Sequence, residues 1–129
     1  MFDFHPQLKQ RFAALRTGAE FFSLRYVRES GQYLSVRKNV AEPPSLSRDE
    51  GAMLTVRVNG VEAYAATNDL SQRGLQAALE RAEQQARRLK PHSLLDLRDQ
   101  AVSSDRADYF SPNLEQPFPS LSECFELLG

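Results

Sequence analysis

The sequence predicts an α+β protein: a mostly antiparallel four-stranded sheet covered on one face by two helices, followed by an irregular C-terminal arm. Three observations lead to this prediction. Two-residue apolar alternation begins near residue 20, an Asn59-Gly60 pair separates two apolar runs, and an alanine-rich helical stripe follows. A chain of 129 residues is long enough to bury the core that such a fold requires.

The first predicted element is a helix over residues 6–17. Leu8, Phe12 and Leu15 stand at positions i, i+4 and i+7, which places them on one apolar stripe. Gly18 follows as a suitable C-cap. We therefore expect this helix to pack one side against the sheet.

A hairpin is predicted next. The alternation from residue 20 places three apolar side chains on one strand face: Phe22, Leu24 and Tyr26. Ser30-Gly31 interrupts this run, and the alternation resumes over residues 32–39. Residues 41–49 contain two consecutive prolines, which donate no backbone hydrogen bond, so a loop is predicted there.

The strongest local signal is a second hairpin. Residues 52–58 and 61–67 flank Asn59-Gly60, a pair suited to the positive φ angles of a type I′ turn. The two-residue turn aligns Arg57 with Glu62 and predicts an apolar face made of Leu54, Val56, Val58, Val61, Ala63 and Ala65. On the opposite face, Arg57 and Glu62 would form a cross-strand charge pair contributing about 0.2–1 kcal/mol at best.

An alanine-rich helix is predicted to cover that apolar face. Asp69 is a suitable N-cap with Gln72 at the third position, and Pro91 ends the helix. The buried stripe would consist of Leu75, Ala78, Leu79, Ala82, Ala86 and Leu89.

Residues 1–91 are thus predicted to form the α+β module, and residues 92–129 an extended linker arm that ends in the start of a helix. Ser120 and Glu123 form a capping-box pattern, and three apolar residues follow the cap: Leu121, Phe125 and Leu128. This helix has barely two turns, too few for stability in isolation. We expect that more sequence normally follows it, so that the chain is a fragment of a larger protein.

Composition excludes several classes of protein. Sixteen Lys and Arg against 17 Asp and Glu give a net charge of −1, which argues against general nucleic-acid binding. One cysteine cannot form an internal disulfide, and no signal pattern or membrane-spanning apolar run is present. We expect a cytoplasmic protein that binds neither nucleic acid nor membrane.

The sequence offers no pattern for chemistry, so no catalytic, cofactor-binding or metal-binding residue is predicted. His5, His92 and Cys124 are widely separated and lack the spacing of a metal site. No Gly-x-Ser-x-Gly elbow or phosphate-binding glycine loop occurs. The scattered carboxylates are interpreted as solvated loop charges: Asp49, Glu50, Asp96, Asp99, Asp105 and Asp108.

Two binding surfaces stay open as alternatives. Basic and aromatic residues could form a nucleic-acid platform on one sheet face: Arg25, Arg28, Arg37, Lys38, Arg48, Arg57, Tyr26, Tyr33 and Tyr64. The neutral overall charge favours an ordinary polar outer face instead. The open edges of a small sheet could also accept an extended peptide.

Several ordered motifs resemble the N-terminal domain of the TldD/PmbA family, also called modulator of DNA gyrase. They are the segment SLRYVRESGQYLSVRKN, Glu50-Gly51 with Val56, and the run from Ala65 to Ser71 that enters the alanine-rich helix. The segment YFSPNLEQPFPSLSECFELL is also similar to a family stretch that precedes a helix. The AEPPSLSRD segment departs from the short link usual in the family.

The resemblance implies metalloproteases of two related subunits that act in peptide maturation and degradation. In the active subunit, zinc is held by a His-Glu-x-x-x-His helix and a downstream cysteine of the C-terminal domain. This sequence contains no His-Glu pair, and Cys124 lies upstream of that region, so no ligand role is transferred.

The resemblance therefore implies a non-catalytic N-terminal domain of the zinc protease or of its zinc-less partner, shaping the substrate cleft or the subunit interface. No cofactor is expected in this chain; zinc would lie in the missing C-terminal domain of an active parent. Expected partners are that domain, a homologous subunit in a homo- or heterodimer, and extended peptides. The alternative is a stand-alone interaction module that uses a sheet edge or the polar sheet face.

Overall fold

A computed structural model describes residues 5–129, and its elements follow in chain order. They are α1 (Leu8–Ala13), β1 (Phe21–Tyr33), β2 (Val36–Arg37), β3 (Val40–Ala41), β4 (Ser45–Val58), β5 (Val61–Thr67), α2 (Gln72–Leu89), a 3-10 turn (Lys90–His92) and α3 (Leu121–Leu128). Within these residues, one sheet has the strand order β1-β4-β5 and a second sheet pairs β2 with β3. The predicted α+β class with a mostly antiparallel sheet is confirmed, although the strands divide into a three-stranded and a two-stranded sheet.

The predicted first hairpin is wrong, because β1 pairs with β4 rather than with the strand predicted over residues 32–39, and β2 pairs with β3. β1 continues through Ser30-Gly31, which was predicted to interrupt it. The turn lies instead at Lys38-Asn39, where both residues adopt positive φ (49° and 61°) between β2 and β3. β4 begins at Ser45, inside the predicted loop, because the two prolines stand just before the strand and remove no donor from it.

The predicted second hairpin is confirmed. β4 and β5 pair antiparallel from Ala52 opposite Thr67 to Val58 opposite Val61. Asn59 and Gly60 have φ angles of 50° and 80°, as a type I′ turn requires. The apolar face predicted from this register is buried except for Ala65, which is half-buried against the same core.

The helix α2 covers this face, but it begins two residues later than the Asp69 cap would allow. Ser71 is the N-cap, since its Oγ accepts a hydrogen bond from the Gly74 N–H at 3.1 Å. Asp69 instead accepts from the Ser71 N–H at 3.1 Å. The predicted stripe is buried apart from Leu89, which is exposed where the helix passes into the 3-10 turn.

The helix α1 is shorter than predicted and ends at Ala13, with Ala14 rather than Gly18 as its C-cap. Its apolar stripe still reaches the core, because Leu15 is buried and Leu8 and Phe12 pack against the core cluster. The chain after it is tied to α2 by Gln76, whose amide donates to the Arg16 carbonyl (2.8 Å) and accepts from the Arg16 N–H (3.0 Å).

The chain forms two compact units. The first comprises the residues up to Arg28 and residues Asp49–Val102; the second comprises Glu29–Arg48 and Ser103–Gly129. Every buried side chain of residues 5–129 belongs to the first unit. In the second unit, Ser120 and Glu123 form the capping box predicted for α3. The predicted division at residue 91 stays a prediction.

Candidate functional site

The outer face of the β4–β5 hairpin contains a buried arginine. Arg57 is 6% exposed, and its Nε and Nη2 donate to Glu62 Oε1 at 3.2 and 2.7 Å. Its Nη1 donates to the Gln100 carbonyl at 3.1 Å, and its guanidinium carbon lies 5.8 Å from the centre of the Phe21 ring. The predicted cross-strand charge pair is present on this face, and its cation is buried because a later segment of the chain covers it.

That segment, the strap, consists of residues 95–100. The Leu97 N–H donates to the Gly60 carbonyl at 2.9 Å, which ties the strap to the hairpin turn. A turn within the strap pairs Asp96 with Arg98 (2.5 Å between Oδ2 and Nη2), and hydrogen bonds from Arg98 lower the pKa of Asp96 to about 2. The sequence interpretation missed the strap because it treated Asp96 as a solvated loop charge.

The free long edge of the sheet at β5 is the second feature. β5 is paired only with β4 within residues 5–129, and α2 packs across its inner side. In this register, the outward backbone groups of β5 belong to Glu62, Tyr64 and Ala66, because Val61 and Ala63 form the hydrogen-bonded pairs with β4. Arg81 Nη2 donates to the Ala66 carbonyl at 3.1 Å, which confirms that this carbonyl points away from β4.

The residues of the predicted nucleic-acid platform do not share one surface of one unit. Arg57 is buried, while Arg25 and Arg28 lie on β1 in the first unit. The other three basic residues belong to the second unit: Arg37, Lys38 and Arg48. Tyr26 packs against the core and donates from its hydroxyl to Glu50 at 2.8 Å, so it does not offer its ring on the outer face.

The candidate metal ligands belong to different elements of the chain. His5 precedes α1 with its ring edge against Tyr26, at 5.8 Å between centroids. His92 is exposed in the 3-10 turn, and Cys124 is half-buried on α3 in the second unit. Within residues 5–129, no three His, Cys, Asp or Glu side chains are placed to hold a metal ion.

The fold and these surfaces define a small α+β domain, and none of the helices described is long and apolar enough to cross a membrane. Residues 22–86, half of the chain, match the family model described as PmbA/TldA metallopeptidase domain 1. The chain therefore belongs to the PmbA/TldD metallopeptidase family. No curated protein and no solved structure matches it.

Proposed function

We propose that the chain is the N-terminal, non-catalytic domain of a TldD/PmbA-like zinc metalloprotease, or of its zinc-less partner subunit, and takes part in peptide maturation or degradation. The observation that carries this proposal is the match of residues 22–86 to domain 1 of the family. These residues include all of β1 except Phe21, the β4–β5 hairpin and most of α2, so the match spans the hairpin and the helix that bury the core.

The second unit supports a role at a subunit interface or in the wall of the substrate cleft. It has no buried residue, and many of its large apolar side chains are exposed: Tyr33, Val40, Leu46, Tyr109, Leu114, Phe118, Leu121, Leu127 and Leu128. Exposed apolar side chains in such number are typical of surfaces that contact another protein. The occupant we propose is the C-terminal protease domain or the homologous subunit, in which any zinc would be bound.

A cytoplasmic location is proposed with this role, because the single Cys124 cannot form an internal disulfide. We also propose that the domain does not bind DNA, since its net charge is −1 and phosphate binding depends on a surplus of cations.

The test is a peptidase and association assay. The chain alone, supplied with zinc and a fluorogenic unstructured peptide, should show no hydrolysis that a chelator abolishes. Mixed with a separately expressed catalytic domain of the family, it should associate as measured by analytical ultracentrifugation. Chelator-sensitive hydrolysis by the chain alone, or no association with either a catalytic domain or a homologous subunit, would contradict the proposal.

Two matched variants locate the interface. Leu127→Asp introduces a charge at a residue of the second unit that is 89% exposed, and it should weaken the association about tenfold or more. Leu94→Asp makes the same change in the first unit at a residue that is 99% exposed, and it should leave the association unchanged. Equal effects of the two substitutions would refute the assignment of the interface to the second unit.

A further inference from the structure

The edge of β5 has unused backbone hydrogen-bonding groups. Tyr64 lies at its centre and is 69% exposed, and within residues 5–129 neither its outward N–H nor its outward carbonyl has a partner. Natural proteins usually protect such an edge with a charge, a proline or a covering segment. Here Arg81 covers only the Ala66 carbonyl at the end of the strand. As far as residues 5–129 are concerned, the middle of the edge is therefore free to pair with another strand.

The flank of α2 beside this edge is basic. α2 runs opposite to β5, because Arg81 reaches Ala66 at the strand end while Lys90 Nζ donates to the Asn59 carbonyl at the hairpin turn (2.7 Å). Arg88 stands seven residues after Arg81, two helical turns along the same stripe, and it makes no ion pair within the described residues. Two guanidinium groups thus follow the edge over roughly 10 Å.

The opposite flank of α2 has a different character. It carries Gln76 and Glu83, which bond to Arg16 and Thr17, and Arg87 there lies 3.8 Å from Glu83. Among the described residues, Arg81 and Arg88 thus place unpaired positive charge on the side of the free edge, whereas Arg87 on the opposite flank lies beside Glu83.

We propose that the β5 edge binds an extended acidic peptide, which adds to the sheet as a further strand beside Tyr64. Backbone hydrogen bonds to the outward groups of β5 would supply the register. In an extended strand, alternate side chains point to the same face, so carboxylates at alternate positions would all face Arg81 and Arg88. Such pairing places opposite charges together and favours acidic over basic peptides.

A second copy of the chain fits this edge less well. Antiparallel pairing of two β5 strands about a two-fold axis would place both α2 helices on the same face of the joined sheet. Arg81 and Arg88 of one copy would then face the same two residues of the other, and like charges across an interface disfavour association. The inference is independent of the protease role, so its failure would leave that proposal standing.

The test measures binding of a fluorescein-labelled peptide of alternating Thr and Glu, eight residues long, by anisotropy with the full chain. Amide resonances of Glu62, Tyr64 and Ala66 should shift, and the corresponding peptide of Thr and Lys should not bind. Methyl groups on the alternate peptide nitrogens that face β5 should abolish binding, since they remove the N–H groups that donate hydrogen bonds from the peptide to β5. Binding of both peptides alike, or binding unaffected by the methyl groups, would overturn the proposal.

Variants of the chain separate the two components of the site. Tyr64→Pro removes only an outward N–H, which an edge strand tolerates, and it should abolish binding, whereas Tyr64→Ala should retain most of it. Arg81→Glu combined with Arg88→Glu should weaken binding about tenfold or more. Arg87→Glu makes a similar charge change on the opposite flank and should have little effect.

Should Tyr64→Pro fail to fold by circular dichroism, the methylated peptide and the arginine variants still decide the outcome. No binding of the acidic peptide to the folded chain would overturn the proposal. The proposal would also be overturned if the chain formed a concentration-dependent dimer that is lost in Tyr64→Ala or Arg81→Glu. Such a dimer would show that the edge binds a second copy of the chain.

Discussion

Loss of Glu62 should destabilise the protein far more than the loss of an exposed charge would. Glu62 accepts two hydrogen bonds from Arg57, which is 6% exposed. Without Glu62, the Gln100 carbonyl would be the only hydrogen-bond acceptor left to Arg57 among residues 5–129. Breaking a fully buried ion pair costs about 3–5 kcal/mol. Because the side chain of Glu62 is itself 39% exposed, we expect Glu62→Ala to cost about 2–3 kcal/mol.

The opposite substitution should be milder. Arg57→Met keeps an apolar stem in the covered site and removes the cation, while water can still solvate the carboxylate of Glu62. We expect a cost of about 1–2 kcal/mol, since no unpaired charge remains buried. The double variant should cost about as much as Arg57→Met alone, because without the arginine the loss of Glu62 leaves no unpaired cation buried.

The assay is urea unfolding followed by circular dichroism, with the free energies combined in a double-mutant cycle. We expect a coupling energy of about 2 kcal/mol between Arg57 and Glu62. The control is the pair of Arg106 and Asp108, which lies open to solvent at 4.0 Å with side chains 64% and 55% exposed, and it should couple by less than about 0.5 kcal/mol. A coupling of Arg57 with Glu62 no larger than the control would refute the conclusion that burial strengthens this pair.

Three further predictions follow from local geometry. Gly74→Ala would place a methyl group 2.3 Å from the carbonyl oxygen of Asp69. Alanine gains about 1 kcal/mol in helix propensity, but the clash outweighs this gain. We therefore expect the free energy of unfolding, measured with urea, to fall by about 1–2 kcal/mol. Lys38→Gly should stabilise the protein by about 0.5 kcal/mol in the same assay, because Lys38 has a φ of 49°. Arg98→Gln should raise the pKa of Asp96 from about 2 towards 3.8, as measured by NMR titration of its carboxyl carbon. Since the folded-state pKa is depressed, the stability from this pair is present above pH 3.8 and is lost as the pH falls towards 2.

Each of these has a control in the chain. Gly18→Ala meets only Arg87 Nη2 at 3.8 Å, so it should be tolerated where Gly74→Ala is not. Arg37→Gly, in the strand next to the turn, should destabilise by about 0.5–1 kcal/mol, opposite in sign to Lys38→Gly. Arg106→Gln should leave the titration of Asp96 unchanged. The first two predictions would be contradicted if Gly74→Ala raised the free energy of unfolding or if Lys38→Gly lowered it. The third would be contradicted if the pKa of Asp96 stayed unchanged in Arg98→Gln.

Elements with strong local signals were predictable. Asn59-Gly60 accepts positive φ at both positions, and a two-residue turn leaves only one register for β4 and β5. The turn at Lys38-Asn39 has the same geometry but was missed, since a lysine at positive φ is uncommon and Ser30-Gly31 offered the more usual signal. Gly31 lies within β1 instead, where its carbonyl accepts a bond from Ser47 Oγ at 3.5 Å.

The start of α2 shows where local pattern is insufficient. Asp69 and Ser71 are both good N-caps, and the sequence does not choose between them. The close packing of Gly74 against Asp69 is compatible with a helix that begins after Ser71, with Asp69 bonded to the Ser71 N–H outside it. The choice of Ser71 over Asp69 as the N-cap therefore depends on the contact between Gly74 and Asp69 rather than on the N-cap propensity of either residue.

The sequence by itself determined the α+β class, the β4–β5 register, the apolar stripe of α2 and the family, because each depends on local periodicity or on an ordered set of motifs. Only the tertiary structure decided the burial of Arg57 and the character of the β5 edge. Arg57 and Gln100 are 43 residues apart, and Arg81 and Ala66 are 15 apart. No periodicity relates such positions; the path of the chain after α2 and the packing of α2 on β5 bring them together.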